Sequence, residues 1–315
     1  MRIIVITPAV AHSKAGNRAT AARWARILRS LGHRVTVATH YEGQNADLMV
    51  ALHAWRSAEA IQQFADRYPE RPLIVALTGT DAYRFIYSHP DSTLASIRRA
   101  DQLVGLHDLI GKTVPEDQRH KINVIYQSAE PIPNRRPLQR YFHVAVLGHL
   151  REEKDPLRPA LAARKLPESS RIHIHHYGKA HSPEWADQAR AEMAINPRYT
   201  WHGELAHHQI RQVYRRTHLL VLPSRMEGGA NVISEAIVAG VPVITSNIDG
   251  SVGLLGADYG GYYPVGNEQA LADLLLRLES DSDFYQQLEQ ACLARQKRFT
   301  PAGEIRAWED LLNRL

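Results

Sequence analysis

The chain has one cysteine, Cys292, among its 315 residues. A single thiol builds no internal disulfide framework, which points to a reducing compartment or to indifference to redox. Its setting, Glu-Gln-Ala-Cys292-Leu-Ala-Arg, reads as a helix interior without an obvious helix start or basic partner, so the thiol is expected to be structural. No stretch approaches the ~20 apolar residues of a membrane span. The opening run Met1-Arg2-Ile3-Ile4-Val5-Ile6-Thr7-Pro8 is too short for a signal peptide and reads as a first strand. A cytoplasmic location, at most peripheral to a membrane, is expected.

Dense Lys/Arg runs with interleaved aromatics are also missing. Lys and Arg exceed Asp and Glu by only 38 to 33, spread along the chain. That surplus suits small anionic molecules better than a nucleic-acid backbone, and no nucleic-acid partner is expected. Seventeen histidines raise the question of a metal, notably His173-x-His175-His176 and His207-His208. These runs lack a Cys or carboxylate at ligand spacing, so neither a metal nor a cofactor is expected.

What is present is an ordinary globular composition, 44% hydrophobic and 23% charged, in a chain long enough for two domains. Apolar runs alternate with helical periods: strands at 2–7, 34–39, 48–53, 73–77 and 102–106, helices at 17–31, 54–68 and 92–100. Continuous apolar strands separated by helices predict a parallel sheet covered on both faces. The segment Pro131-Ile-Pro-Asn-Arg-Arg-Pro137 breaks the pattern and reads as a linker. The alternation then restarts, with strands at 142–147, 171–177, 199–202, 219–222 and 242–245 and helices at 183–193, 207–217 and 231–239. Two doubly wound α/β domains are therefore expected, residues 1–137 and 138–300. The tail from Asn267 reads as two or three helices, the last of which, 301–315, is expected to pack back on the first domain. Ligands of such sheets bind beyond the carboxyl ends of the strands.

The segment after Val221-Leu-Pro-Ser224 carries the most chemistry. Gly228 and Gly229 allow a tight turn, and the helix beginning near Asn231 and Val232 offers unpaired N–H groups to a diphosphate. Glu227 sits in the loop where it can accept bonds from sugar hydroxyls. Glu235, eight residues after Glu227 and on that helix, can reach a ribose diol. The same residues read equally well as an ordinary turn and an exposed helix glutamate.

The pattern Pro-Ser-x-x-Glu227-Gly, Glu235, then Ala-x-x-x-Gly240-x-Pro-Val-Ile resembles the donor motif of retaining GT-B glycosyltransferases of the glycosyltransferase 4 class. The resemblance implies the GT-B fold, two doubly wound Rossmann-like domains facing a central cleft. It further implies that Glu227 meets the donor hexose, Glu235 the ribose, and Gly229, Ala230 and Asn231 the phosphates. Val146-Leu-Gly-His149-Leu-Arg151-Glu-Glu-Lys154 stands where this class carries a Gly-Arg-Leu…Glu-Lys motif. Here His149 holds the usual arginine position, so neutralising the leaving diphosphate is assigned to Arg151 and Lys154. His202, Gly203, Glu204 and Leu205 lie where the class holds the nucleobase through its backbone.

On the acceptor side, Lys14, Gly16, Asn17 and Arg18 follow strand one and open a helix, with Gly16 or Asn17 as its cap. Gly16 lets the backbone approach the donor phosphate. Leu52-His53-Ala-Trp-Arg56-Ser and Leu77-Thr78-Gly79-Thr80-Asp81 end two further strands of the same sheet. Lys14, Arg18 and Arg56 are candidate clamps for a small anionic acceptor, with Asn17, Thr78, Gly79 and Thr80 beside them. Stretches 16–24, 51–57, 77–81, 148–156 and 246–256 together resemble the selenosugar synthases of selenoneine biosynthesis, over nearly the whole chain. That resemblance implies transfer of a hexosyl unit, N-acetylglucosaminyl in the first instance, from a UDP-sugar to selenophosphate, with partners in selenium metabolism. An already anionic selenium nucleophile needs no strong general base, and Asp81 and His53 are the candidate proton handlers. Two rivals stand beside this reading. A lipid-acceptor transferase would use the Arg23, Arg26 and Arg29 face of the first helix at a membrane surface, and a sugar-nucleotide sensor would bind donor without turnover.

Overall fold

The computed structural model describes residues 1–9 and 16–315, apart from the side chain of His207; Lys14 lies outside the described residues. The chain divides into two compact units. One comprises Met1–Gln127, Glu227–Gly229 and Pro301–Leu315, the other Ser128–Met226 and Ala230–Thr300. The division precedes the expected boundary at residue 137 because the proline-rich segment belongs to the second unit. Arg136 and Leu138 donate backbone N–H groups to the carbonyls of Arg215 and Arg216, and Arg211 donates to the Pro131 carbonyl at 2.9 Å.

The first unit is built on β1 (Arg2–Ile6), β2 (Arg34–Ala38), β3 (Leu48–Leu52), β4 (Leu73–Ala76), β5 (Gln102–Gly105) and β6 (Ile122–Val124). These pair in the order β2-β1-β3-β4-β5-β6, all parallel. β3, Leu-Met-Val-Ala-Leu, is buried at every position, as a central strand covered on both faces must be. Met49, Ala51, Val75 and Leu103 share one face with Ile61, Phe64 and Ile97 of helices α2 (Ala58–Arg67) and α4 (Pro90–Arg99); the short α3 (Ile86–Ser88) precedes α4. Val50, Leu52, Ile74 and Val104 pack on the other face against α1 (Gly16–Ser30) and the C-terminal helix Pro301–Leu312.

α1 buries Thr20, Ala21, Trp24, Ala25, Ile27 and Leu28, an i, i+3/i+4 stripe. It ends in a Schellman turn: Gly32 adopts φ 87°, and His33 N–H reaches the Leu28 carbonyl. Trp24 meets Trp308 edge-to-face at 4.9 Å and donates its indole N–H to the buried Glu304 at 2.9 Å. Two expectations are corrected. Gly16 and Asn17 both lie inside the first turn of α1, so neither caps it. The helix expected from Ala54 begins at Ala58, because residues 53–57 form a loop tied to the sheet by His53 N–H on Ala76 O and Ser57 Oγ on Leu52 O.

The second unit holds β7 (Phe142–Leu147), β8 (Ile172–Tyr177), β9 (Tyr199–Trp201), β10 (Leu219–Leu222), β11 (Val243–Ser246) and β12 (Tyr262–Tyr263). They form a second all-parallel sheet, ordered β12-β11-β10-β7-β8-β9. Its helices are α5 (Arg158–Ala163), α6 (Pro183–Ile195), α7 (His207–Arg216), α8 (Asn231–Val238), α9 (Asp249–Leu255), α10 (Glu268–Ser280) and α11 (Ser282–Arg295). Asn267 and Asp281 cap α10 and α11, accepting from Ala270 and Phe284 N–H. Cys292 is buried on α11 beside the Tyr259 hydroxyl, and burial pushes its thiol pKa up. Among the described residues, no helix is long and apolar enough to cross a membrane and no cluster of metal-ligating side chains is arranged to hold an ion.

The histidines of β7 and β8 form a packed neutral layer. His143 and His175 rings lie 4.4 Å apart, and His175 Nδ1 meets His202 Nε2 at 2.9 Å. Burial, reinforced by neighbouring histidines, lowers the His143 pKa to about 3. Burial lowers His175, His176 and His218 to about 4. The unfolded chain takes up these protons from pH 6.5 downward, whereas the folded unit resists until near 4. Their stabilisation is therefore complete above pH 6.5 and is lost as the pH falls toward 4. Scanning calorimetry of the second unit's transition should show Tm falling by roughly 5–10 °C between pH 7 and pH 4.5. A flat Tm over that range would contradict the neutral layer.

Candidate functional site

Both sheets reverse their winding at one point. In the second unit the chain runs outward from β7 through β8 and β9, then returns to β10 on the other side of β7. The reversal lies between β7 and β10, which is where open α/β sheets leave a crevice beyond their carboxyl ends. The segments emerging there are Gly148–Lys154 after β7 and Pro223–Met226 after β10. The first sheet reverses between β1 and β3, whose ends carry Thr7 and the His53 loop.

After β7 the chain continues as a ladder. Gly148 and Leu150 donate N–H groups to the carbonyls of Tyr177 and Lys179. A side chain at Gly178 would strike the Gly148 carbonyl, so glycine is needed where the two loops meet. The buried His176 fixes this edge from below: its Nε2 pairs with the Gly148 carbonyl at 2.9 Å, which only an N–H can do, leaving Nδ1 to accept from Tyr199 OH at 3.1 Å. His149 Nδ1 accepts from Lys179 N–H at 3.1 Å, so its proton is on Nε2. Burial first, then the charges of His181, Arg151 and Lys154, lower His149 to about 4, and it is neutral at pH 7.

Arg151 and Lys154 bracket one turn of 3-10 helix, Glu152–Lys154. Asp155, which ends the turn, has φ 43°, a left-handed conformation that costs energy for a non-glycine residue. Ion pairs hold it there: Arg158 at 3.0 Å and Arg225 at 3.8 Å, with Arg158 also paired to Glu268. Arg225 N–H donates to the Glu153 carbonyl at 2.8 Å, which ties the Lys154 turn to the segment after β10. The buried Ser224 carbonyl accepts from Ser246 Oγ of β11.

α8 starts at Asn231, preceded by an extended Ala230 whose methyl side chain cannot cap the helix. Glu235 stands one turn further on, where Oε2 accepts from the buried Tyr214 hydroxyl of α7 at 3.0 Å. His202 stacks on Tyr177 with ring centres 4.6 Å apart, and its N–H donates to the His176 carbonyl. Gly203 follows at φ 72° and accepts from Gly178 N–H at 2.7 Å; Glu204 is exposed and Leu205 half-buried before α7.

In the first unit, Glu227, Gly228 and Gly229 pack on the loops after β4 and β5. A Cβ on Gly228 would collide with the backbone of Thr78 and Gly79, and one on Gly229, at φ 132°, with Leu106. Gly79 itself has φ 135°. Glycine is thus a packing requirement at Gly228 and Gly229 and a backbone requirement at Gly79 and Gly229. Gly16 differs, since a Cβ there would meet open space. Arg18 is half-buried and Arg56 exposed, its guanidinium 5.9 Å from the centre of Phe85, which stacks on Trp55 at 3.9 Å.

Asp81 and His53 are both engaged in loop hydrogen bonds. The fully buried Asp81 carboxylate accepts the N–H groups of Gly79 at 2.8 Å and of Ala54 and Thr78 at 3.0 Å. His53, at a left-handed φ of 75°, accepts Arg56 N–H on Nδ1 at 3.1 Å. Its Nε2–H is therefore the donor to Thr80 Oγ1 at 2.9 Å. Burial lowers the His53 pKa, against the opposing pull of Asp81. Both residues clamp the post-β3 and post-β4 loops together. Tyr214 and Arg225 escape sequence reasoning, because their partners lie on other elements and no motif spacing relates them.

Residues 131–294 match the family model of glycosyl transferases group 1, and the chain belongs to that family. A curated relative, the putative teichuronic acid biosynthesis glycosyltransferase TuaC of Bacillus subtilis (strain 168), is 34% identical over 79 residues, which is 25% of this chain. That match spans only 20% of the relative's length. The structure of Anabaena Alr3699/HepE in complex with UDP and glucose is similar over 100% of both chains, with TM-score 0.78 and 16% identity. Sucrose-phosphate synthase from Thermosynechococcus elongatus aligns over 99% of this chain and 98% of its own, with TM-score 0.77 and 14% identity. At these identities the likeness establishes the fold, which is GT-B.

Asp81→Asn replaces one accepting oxygen with an NH2 facing a backbone N–H, and should destabilise the first unit by about 2 kcal/mol. Denaturant unfolding monitored in that unit would measure this. Unchanged stability would refute the clamp.

Proposed function

We propose that this protein transfers a hexosyl unit, N-acetylglucosaminyl in the first instance, from a UDP-sugar to selenophosphate, giving a 1-selenosugar. The donor half of the reading is supported by the segments at the β7/β10 reversal. Arg151 and Lys154 supply positive charge for the departing diphosphate. The first turn of α8, at Ala230, Asn231 and Val232, which has no side-chain cap from Ala230, suits its phosphates. Glu235 suits the ribose diol and the backbone of His202–Leu205 the base, with Glu227 assigned to the hexose by resemblance. The HepE structure in complex with UDP and glucose, and another with UDP-glucose, are consistent with a uridine nucleotide as donor.

The single observation that carries the acceptor half is the commitment of His53 and Asp81. With both tied into loop hydrogen bonds, these two give no general base for a sugar hydroxyl. Selenophosphate needs none, since its selenium is anionic and soft at neutral pH. In the transfer the C1–O bond to the diphosphate breaks and a C1–Se bond forms, UDP leaves, and loss of phosphate by water then frees the selenosugar. Arg18 and Arg56, with Lys14, are the proposed anion clamps, alongside Asn17, Thr78, Gly79 and Thr80. No metal or cofactor takes part in this chemistry. A second reading, a larger small-molecule acceptor, draws on the Trp55–Phe85 stack beside Arg56, a platform on which a sugar ring can rest.

Purified protein should release UDP from UDP-N-acetylglucosamine when supplied with selenophosphate, and much less with phosphate. UDP release with a sugar or lipid acceptor but with no selenium or sulfur acceptor would overturn the selenosugar reading and favour the second one. Donor binding without turnover on any acceptor would leave a sensor.

A further inference from the structure

Glu235 does not stand alone on its helix. Tyr214, on α7, is 1% exposed, and its hydroxyl donates to Glu235 Oε2 at 3.0 Å and to the Val232 carbonyl at 3.1 Å. The two acceptors lie three residues apart on α8, so they face the same side of the helix. One phenolic hydrogen serves both, and the ring is locked by burial. We propose that Tyr214 is the positioning residue for the nucleotide-binding carboxylate, fixing one oxygen of Glu235 so that the group is pre-aimed at a ribose diol. The proposal rests on the reading of Glu235 as the ribose ligand.

The physical case has two parts. A glutamate has three side-chain torsions, and ordering them on binding costs entropy that a pre-formed hydrogen bond removes in advance. Tyr214 is also a dependable donor: burial first, then the charge of Glu235, holds its phenol pKa well above the ordinary value, so it keeps its proton throughout the working pH range. A phenylalanine at this position keeps the packing against α8 and removes only the donor. Glu235 would then lose the hydrogen bond that fixes Oε2, and the contact that distinguishes a ribose from a sugar lacking its hydroxyls would blur.

The test compares equilibrium affinities for UDP and for its 2′,3′-dideoxy analogue in the wild type, Tyr214→Phe and Glu235→Ala. Wild type should prefer UDP by roughly tenfold or more, the scale of a carboxylate accepting two hydroxyls. Glu235→Ala should abolish that preference. Tyr214→Phe should bind the dideoxy analogue as wild type does, which shows an intact fold, while losing most of the preference for UDP. A Tyr214→Phe protein that keeps the full preference overturns the proposal and leaves the Glu235 reading standing. Equal weakening toward both nucleotides overturns it too, since that marks a purely structural tyrosine. If wild type shows no preference, or Glu235→Ala retains it, the ribose assignment falls and the proposal with it.

Discussion

A parallel strand can be re-entered only from the same end, so every post-strand loop of an all-parallel sheet emerges on one edge. Both sheets of this protein obey that constraint, and each reverses direction once, between β1 and β3 and between β7 and β10. At a reversal the flanking connections leave toward opposite sides, and the strand ends stand apart with nothing between them. The chemistry-bearing segments Gly148–Lys154 and Pro223–Met226 stand at one such gap, and His53–Arg56 at the other. Their placement follows from strand order before any side chain is considered.

What the side chains add is rigidity. In the second unit, Asp155 is held at a left-handed φ by Arg158 and Arg225, and Arg225 N–H joins the Lys154 turn to the strand beside it. His176 is neutral with its proton directed at the Gly148 carbonyl, and His149 is oriented by Lys179. In the first unit the same task falls to Asp81 and His53. Polar groups with their hydrogen bonds filled make poor acids and bases but good scaffolding. These residues build the loops on which Arg151 and Lys154 stand, while Glu235 is carried by α8.

Much of this was legible in the sequence. The runs Arg2–Ile6, Leu48–Leu52, Phe142–Leu147 and Leu219–Leu222 announce buried parallel strands, and Glu227-Gly-Gly…Glu235 announces a loop-to-helix turn with two carboxylates. β6 and β12 are too short to register as periodic signals. Roles that depend on distant partners were also hidden. Asp81 looks like a catalytic carboxylate because Thr-Gly-Thr-Asp ends a strand, yet its partners include Ala54, far back along the chain. Tyr214 looks like one more buried aromatic of an amphipathic helix until α8 is seen beside it. Sequence spacing reports residues on one element, whereas these assignments depend on two.

The central claim is that the β7/β10 edge of the second unit is a nucleotide-sugar donor site. A crystal structure with UDP-N-acetylglucosamine soaked in tests it most directly. The account predicts the ribose hydroxyls within hydrogen-bond distance of the Glu235 carboxylate and the diphosphate at the first turn of α8 near Lys154. A nucleotide bound elsewhere, with Glu235 and the start of α8 unengaged, would contradict it.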